Sequence, residues 1–238
     1  MTPKAMPLSI FLVNPTNLPF TRFSLLWVQV MRGRWAPTND YELVAHDVSN
    51  FGMARRILDV GTGPGQLIFA LQRAIPYATL FGVDISPAMV AQAQKNMDAS
   101  GHKSLIESMV ASANALPFAE ETFDRVVSTG SLHHWKAPIQ ALSEVYRVLK
   151  INGYALMYDL VREMPKPVCE QVRSQFGSFR LALLWLHSFE EPFLSPEELE
   201  KLGRQSDSAV EGTRFTGALC CLVLRKTAVS AARAPSDA

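Results

Sequence analysis

The chain has 238 residues, 48% of them hydrophobic and 19% charged, with a formal net charge of +1. That make-up suits one large α/β domain with a small addition and a substantial core. It supplies no general field for polyanions, so nucleic acid is not an expected partner, and no apolar run reaches the length of a bilayer-spanning helix. Cys169, Cys220 and Cys221 are an odd set without metal-type spacing. They read as small buried residues, Cys220 and Cys221 facing opposite sides of one strand, and no metal site is expected. The apolar residues 6–13 are broken by Pro7 and followed by no small-residue cleavage site, which predicts a reducing, cytoplasmic setting.

From Pro19, the residues Phe20, Phe23, Trp27, Val30 and Met31 recur at three- and four-residue steps, the pattern of an amphipathic helix. A second helix, capped by Asn39 or Asp40, carries Tyr41, Leu43, Val44 and Val48 and ends at Gly52. Residues 1–52 therefore read as an N-terminal helical cap. Ile57 to Val60 is a buried strand that runs into Gly61-Thr62-Gly63-Pro64-Gly65, and Gln66 to Ala74 is the helix that follows. A second strand, Phe81 to Asp84, leads to Ser86-Pro87, the start of a helix through Met89, Ala93 and Met97 that stops at Gly101.

Residues 105–111 and 123–128 predict two more strands. A helix through Ile139, Leu142, Val145, Tyr146 and Leu149 follows, and Asn152-Gly153 turns the chain into a fifth strand, Tyr154 to Asp159. Residues 163–194 are an aromatic-rich insertion, predicted helical. Ser195-Pro196-Glu197-Glu198 has capping-box spacing. Two strands, 210–215 and 218–225, meet at a Thr216-Gly217 turn, and residues 228–238 read as a mobile tail. The whole predicts a doubly wound α/β fold over residues 53–227: a mostly parallel seven-stranded sheet closed by an antiparallel hairpin, with the N-terminal helices and the insertion as a substrate cap.

Three glycines after a buried strand permit positive φ and let a ligand lie against the backbone, with helix N–H groups aimed at it. An acid at the end of the next strand, Asp84, suits a ribose diol, because both hydroxyls can donate to one carboxylate. With Asn114-Ala115-Leu116-Pro117-Phe118, Phe123-Asp124-Arg125-Val126-Val127-Ser128 and Arg147-Val148-Leu149-Lys150, the pattern resembles a class I S-adenosylmethionine-dependent methyltransferase. It is similar to the small-molecule branch that includes the quinone-biosynthesis methyltransferases.

That resemblance implies S-adenosylmethionine as cofactor and S-adenosylhomocysteine as product. Asp59 would hold the methionine ammonium, the backbone of Gly61, Thr62, Gly63 and Gly65 the methionine and ribose, Asp84 the ribose hydroxyls, and Ile85 the adenine face. Ser112, Ala113, Asn114 and Ser128 complete the implied cofactor set, Ser112 standing where the family often has an acid. His133 and His134, just after the fourth strand, are candidate bases for a protonated acceptor; shaping the pocket is the alternative. Asp159 either orients substrate or caps a turn. The aromatic-rich flanks imply a small, largely apolar acceptor, and the oligomeric state is left open, a homodimer included. Two rivals are a catalytically inactive, cofactor-bound scaffold of the same fold and an NAD-type oxidoreductase. The second is disfavoured by Gln66, which stands where the dinucleotide fingerprint has its third glycine.

Overall fold

The computed structural model describes residues 38–100, 106–178 and 193–228. Its elements are α1 (Thr38–Ser49), β1 (Arg56–Val60), α2 (Gln66–Ala74), β2 (Thr79–Asp84), α3 (Pro87–Ser100), β3 (Ile106–Val110), β4 (Phe123–Thr129), a 3₁₀ turn (Leu132–His134), α4 (Pro138–Val148), β5 (Leu149–Asp159), α5 (Lys166–Phe176), α6 (Pro196–Arg204), β6 (Ala209–Thr216) and β7 (Leu219–Arg225). Side chains alternate along β1. Ile57 packs with residues of α1, α2 and α3, whereas Leu58 and Val60 pack with α4 and α6. A strand covered on both faces needs apolar side chains on each, and Ile57, Leu58 and Val60 supply them around the buried Asp59.

The seven strands lie in the order β3-β2-β1-β4-β5-β7-β6. Pairing is parallel from β3 to β5, and β7 is antiparallel to both β5 and β6. Chain order reverses between β1 and β4, which opens a ligand crevice at the carboxyl ends of those strands. Cys221 falls in the core on one face of the sheet and Cys220 in the core on the other, both fully buried.

Local signals set several boundaries. At α6 the Ser195 hydroxyl accepts the Glu198 N–H at 3.2 Å while the Glu198 carboxylate accepts the Ser195 N–H at 2.7 Å, a complete capping box. Two expectations are corrected. The helix expected to close the N-terminal cap is α1, and its Val44, Ala45 and Val48 are fully buried against Ile57, Leu71, Tyr158 and Val223. It packs on the sheet and is pinned by Asp47, whose carboxylate accepts the Tyr158 hydroxyl at 2.6 Å and the Arg214 guanidinium. Asn39 and Asp40 lie within its first turn rather than ahead of it.

The second correction is the start of β5, which begins at Leu149 and runs through Asn152-Gly153. Asn152 takes φ +66°, the ladder to β4 shifts between Phe123 and Arg125, and a Cβ on Gly153 would meet the Lys150 carbonyl oxygen at 2.8 Å. The expected turn is thus a kink inside a continuous strand. The helix expected after Pro19, the Gly101 stop, most of the insertion beyond α5 and the tail after residue 228 lie outside the described residues.

Candidate active site

The glycine loop is shaped by its own backbone. Gly61 and Thr62 both donate their N–H to the Val83 carbonyl, at 2.8 and 3.0 Å, which draws the loop over the end of β2. Gly61, Gly63 and Gly65 take φ of +79°, +53° and +85°, values that an L side chain rarely adopts. Their surroundings differ. A Cβ on Gly61 would fall 2.1 Å from the Ser131 Oγ, so that glycine exists to let the segment after β4 close on the loop, whereas a Cβ on Gly63 would meet nothing within 4 Å. Gly63 is the open side of the cradle.

Asp59 sits at the foot of this cradle, 2% exposed, and its Oδ2 has no hydrogen-bond partner among the described residues. Burial pushes its carboxyl up to about 7, and the charge of Asp84 adds to the shift; the Thr62 hydroxyl relieves part of it without making a formed hydrogen bond. A buried acid left unpaired is costly, and the group that best removes the cost is a cation delivered by a ligand. Asp84 has a different situation. Its Oδ2 accepts the Gly63 N–H at 2.9 Å and its Oδ1 the Ser86 N–H at 2.9 Å, so both oxygens are oriented and each keeps a lone pair for a hydroxyl.

Beside Asp84, Ile85 is 75% exposed, and Val110, its strand's register partner of Asp84, is 52% exposed. Two large apolar side chains held in the open at adjacent strand ends form a platform for a flat ring. Val110 was not singled out from the sequence, although the pairing of β2 with β3 would have pointed to it. An ammonium for Asp59, a diol for Asp84 and a base for the platform are the parts of S-adenosylmethionine, so the residues present fit the cofactor expected from the sequence.

The other candidates divide. Ser112 forms a bridge with Ala115 and its hydroxyl accepts the Asn114 N–H at 3.2 Å, leaving Ala113 at the bend of the same loop. The Asn114 amide donates to the Ala137 carbonyl at 2.8 Å, which ties this loop to the start of α4. Arg147 and Glu144 hold the rest of it, through the Leu116 and Phe118 carbonyls and the Leu116 N–H. Ser128 is 1% exposed and donates to the Val60 carbonyl at 2.7 Å, so its hydroxyl joins β4 to β1 inside the sheet. Asn114 and Ser128 therefore position the site from within the fold.

His133 and Asp159, 26 residues apart, are brought together at the ends of β4 and β5. The Asp159 carboxylate receives the His133 Nδ1 at 2.8 Å and the His133 backbone N–H at 3.0 Å. It also accepts the Leu160 N–H at 2.9 Å, so the expected turn cap and an orienting role coexist in one side chain. The His134 ring lies tilted by 50° against that of His133 with centroids 3.8 Å apart, and His134 is exposed. Among the described residues, no group of three or more His, Cys, Asp or Glu could hold a metal ion.

Residues 58–157 match the family model described as a methyltransferase domain. The demethylmenaquinone methyltransferase of Thermus thermophilus is 30% identical over 163 residues, which span 62% of this chain and 71% of the relative. The chloroplastic 2-methyl-6-phytyl-1,4-hydroquinone methyltransferase 2 of Oryza sativa subsp. japonica is 33% identical over 102 residues, 43% of this chain but only 28% of that protein's length. In structure, the chain is similar to a SAM-dependent methyltransferase from Aquifex aeolicus, with a TM-score of 0.61, 20% identity, and 79% of this chain and 92% of that chain covered.

Proposed function

Because the chain belongs to the class I S-adenosylmethionine-dependent methyltransferases, we propose that it transfers the cofactor's methyl group to a small, largely apolar acceptor by in-line displacement. The observation that carries this reading is Asp59, a buried carboxylate left without a cation beside an open glycine cradle. When bound, S-adenosylmethionine supplies an electrophilic methyl on a sulfonium, which needs little further activation. The chain's task is then to hold, orient and keep dry. Asp59 pairs with the ammonium, and the backbone of Gly61, Thr62, Gly63 and Gly65 lies along the methionine and ribose. Asp84 accepts the ribose hydroxyls while keeping its bond to Gly63, and Ile85, Val110 and the loop at Ser112 and Ala113 border the adenine.

The acceptor would approach at the ends of β4 and β5, where Leu132, Leu160, Leu194 and Leu199 gather around His133 and Asp159. Apolar walls exclude water, and fixing a nucleophile in line can lower the barrier by about 7–11 kcal/mol through orientation alone. His133 or His134 takes a proton where the acceptor arrives protonated. The names of the relatives, a demethylmenaquinone methyltransferase and a 2-methyl-6-phytyl-1,4-hydroquinone methyltransferase, favour an acceptor with a quinol-type ring.

Two measurements test the reading. Calorimetry should detect S-adenosylmethionine and not NAD, and a panel of small ring acceptors should include one that releases S-adenosylhomocysteine. Tight cofactor binding with no release across phenols, thiols and amines would favour the inactive scaffold instead.

A further inference from the structure

The geometry points to a second binding site at the opposite end of the strands from the glycine loop, one that takes a flat apolar ligand carrying a phosphate. A cavity of about 640 Å³ lies there, lined by Met53, Arg55, Arg56, Tyr77, Thr79 and Lys150. These residues stand at or just before the starts of β1, β2 and β5, whereas the cofactor crevice lies at the carboxyl ends of the strands. The site is therefore independent of methyl transfer. Its volume falls within the roughly 300–1,000 Å³ usual for small-molecule pockets.

The charge at this edge is unbalanced. Among the described residues the lining holds three cations and no acid. The carboxylate that meets them is Asp124, which accepts the Lys150 ammonium at 2.7 Å and the backbone N–H groups of Arg55 and Arg56 at 2.9 Å. It offsets one charge, and neither guanidinium has an ion-pair partner among the described residues. The Arg56 guanidinium lies over the Phe81 ring at 4.9 Å and the Phe123 ring at 5.8 Å. Stacked by its face, it keeps its N–H edge for an oxyanion. A phosphate monoester carries a charge of about −1.5 to −2 at neutral pH, which matches the excess of two; a carboxylate would leave one cation unmatched. The excess is local, since the whole chain has a formal net charge of only +1.

The apolar half of the ligand is read from Met53 and Tyr77, which are 74% and 59% exposed. With Ile85 and Val110 they are the four most exposed large hydrophobic side chains among the described residues. Ile85 and Val110 have a use in the adenine platform, and Met53 and Tyr77 flank this cavity instead. One exposed apolar side chain is ordinary, but two around a concavity that also holds unpaired guanidiniums mark a ligand surface. A concave wall suits a discrete molecule rather than a membrane surface. The frame is also preset. The Thr79 N–H donates to the Arg55 carbonyl at 2.8 Å, and the buried Arg125 guanidinium holds the Phe51 and Gly52 carbonyls, at 2.8 and 3.2 Å, just before Met53. Little ordering is then left for binding to supply.

The test titrates the full ¹⁵N-labelled chain, with S-adenosylhomocysteine in excess to cover the glycine cradle, against 1-naphthyl phosphate, 1-naphthol and inorganic phosphate. In calorimetry 1-naphthyl phosphate should bind at least about tenfold more tightly than either fragment, because only it meets both the cations and the apolar walls. Its addition should shift the amide resonances of Met53, Arg55 and Tyr77 and leave those of Gly63 and Ser86 in place. Arg55→Gln and Arg56→Gln should each weaken it by roughly tenfold, with S-adenosylmethionine affinity unchanged as the check that each variant is folded. Failure of 1-naphthyl phosphate to bind the wild-type chain at millimolar concentration overturns the inference. So does equal affinity for 1-naphthol, or a set of shifts confined to Gly63 and Ser86. These wild-type readouts decide the matter even if Arg56→Gln fails to fold, and affinity untouched by Arg55→Gln overturns it as well. Loss of S-adenosylmethionine binding in the wild-type chain would instead strike the methyltransferase reading and leave this site standing.

Discussion

Asp59 and Asp124 stand on neighbouring parallel strands, one near the carboxyl end of β1 and the other at the amino end of β4, and they are treated in opposite ways. Asp124 is saturated: its Oδ2 accepts the Arg55 and Arg56 N–H groups, both at 2.9 Å, and its Oδ1 the Lys150 ammonium at 2.7 Å. Burial works against its charge, but Lys150 and the two N–H groups outweigh it and hold the carboxyl below its ordinary value. Asp59 has the reverse balance. Its burial is complete enough to dominate, and its Oδ2 has no partner. An acid that the fold uses for itself is satisfied by the fold, whereas an acid kept for a ligand is left in deficit.

The largest effect should come from removing the deficit. Unfolded, Asp59 gives up its proton near 3.8, and folded near about 7; across that interval the folded state holds the extra proton, so stability falls as pH rises and the penalty is complete above about 7. Asp59→Asn should therefore stabilise the cofactor-free protein at pH 8 by at most about 4 kcal/mol and leave it nearly unchanged at pH 4, read by chemical denaturation at both. The same variant should bind S-adenosylmethionine more weakly by about two decades. Asp84→Ala comes next. Losing the bonds to two ribose hydroxyls should cost about 2–4 kcal/mol, or roughly one to three decades of affinity in calorimetry.

Asp124→Ala sharpens the contrast from the other side. It leaves two backbone N–H groups and an ammonium without their acceptor, and should destabilise the protein by about 1–3 kcal/mol while cofactor affinity stays the same. Because its folded value is depressed, that contribution is full above the ordinary carboxylate range and is lost as pH falls through the depressed value, so the gap between wild type and variant should narrow in acid. Smallest in stability is Gly63→Ala. The new Cβ meets no protein atom within 4 Å, so thermal unfolding should register only the strained φ, about 1–2 kcal/mol, although the cofactor should bind far more weakly.

The sequence carried the cradle and most of the sheet because their signals are local. Gly61, Gly63 and Gly65 follow a largely apolar strand, Asp84 ends the next one, and Ser195 stands three residues before Glu198. Asn152-Gly153 misled, since a left-handed Asn followed by Gly serves equally as a turn or as a kink inside a strand, and only the ladder to β4 distinguishes them. The remaining features are products of long-range packing. His133 and Asp159 look like separate candidates until β4 and β5 are laid side by side. Asp47 and Tyr158, 111 residues apart, pin α1 to the sheet in a way that no window of sequence displays. Ser128 and Asn114 fall within the family-like motifs, yet their side-chain bonds bind strand to strand and loop to helix.

The account turns on Asp59 being held in reserve for the cofactor's ammonium, and one measurement addresses that directly: calorimetric titration of the protein with S-adenosylmethionine between pH 5 and 7, in buffers of differing ionisation enthalpy. Only the charged carboxylate pairs with the ammonium, so affinity should climb with pH by as much as about tenfold per unit well below the folded value, and each binding event should release close to one proton near pH 5 and about half of one near 7. Asp59→Asn should abolish both the climb and the release. Tight binding that is flat across this range, with no proton exchanged, would contradict the claim.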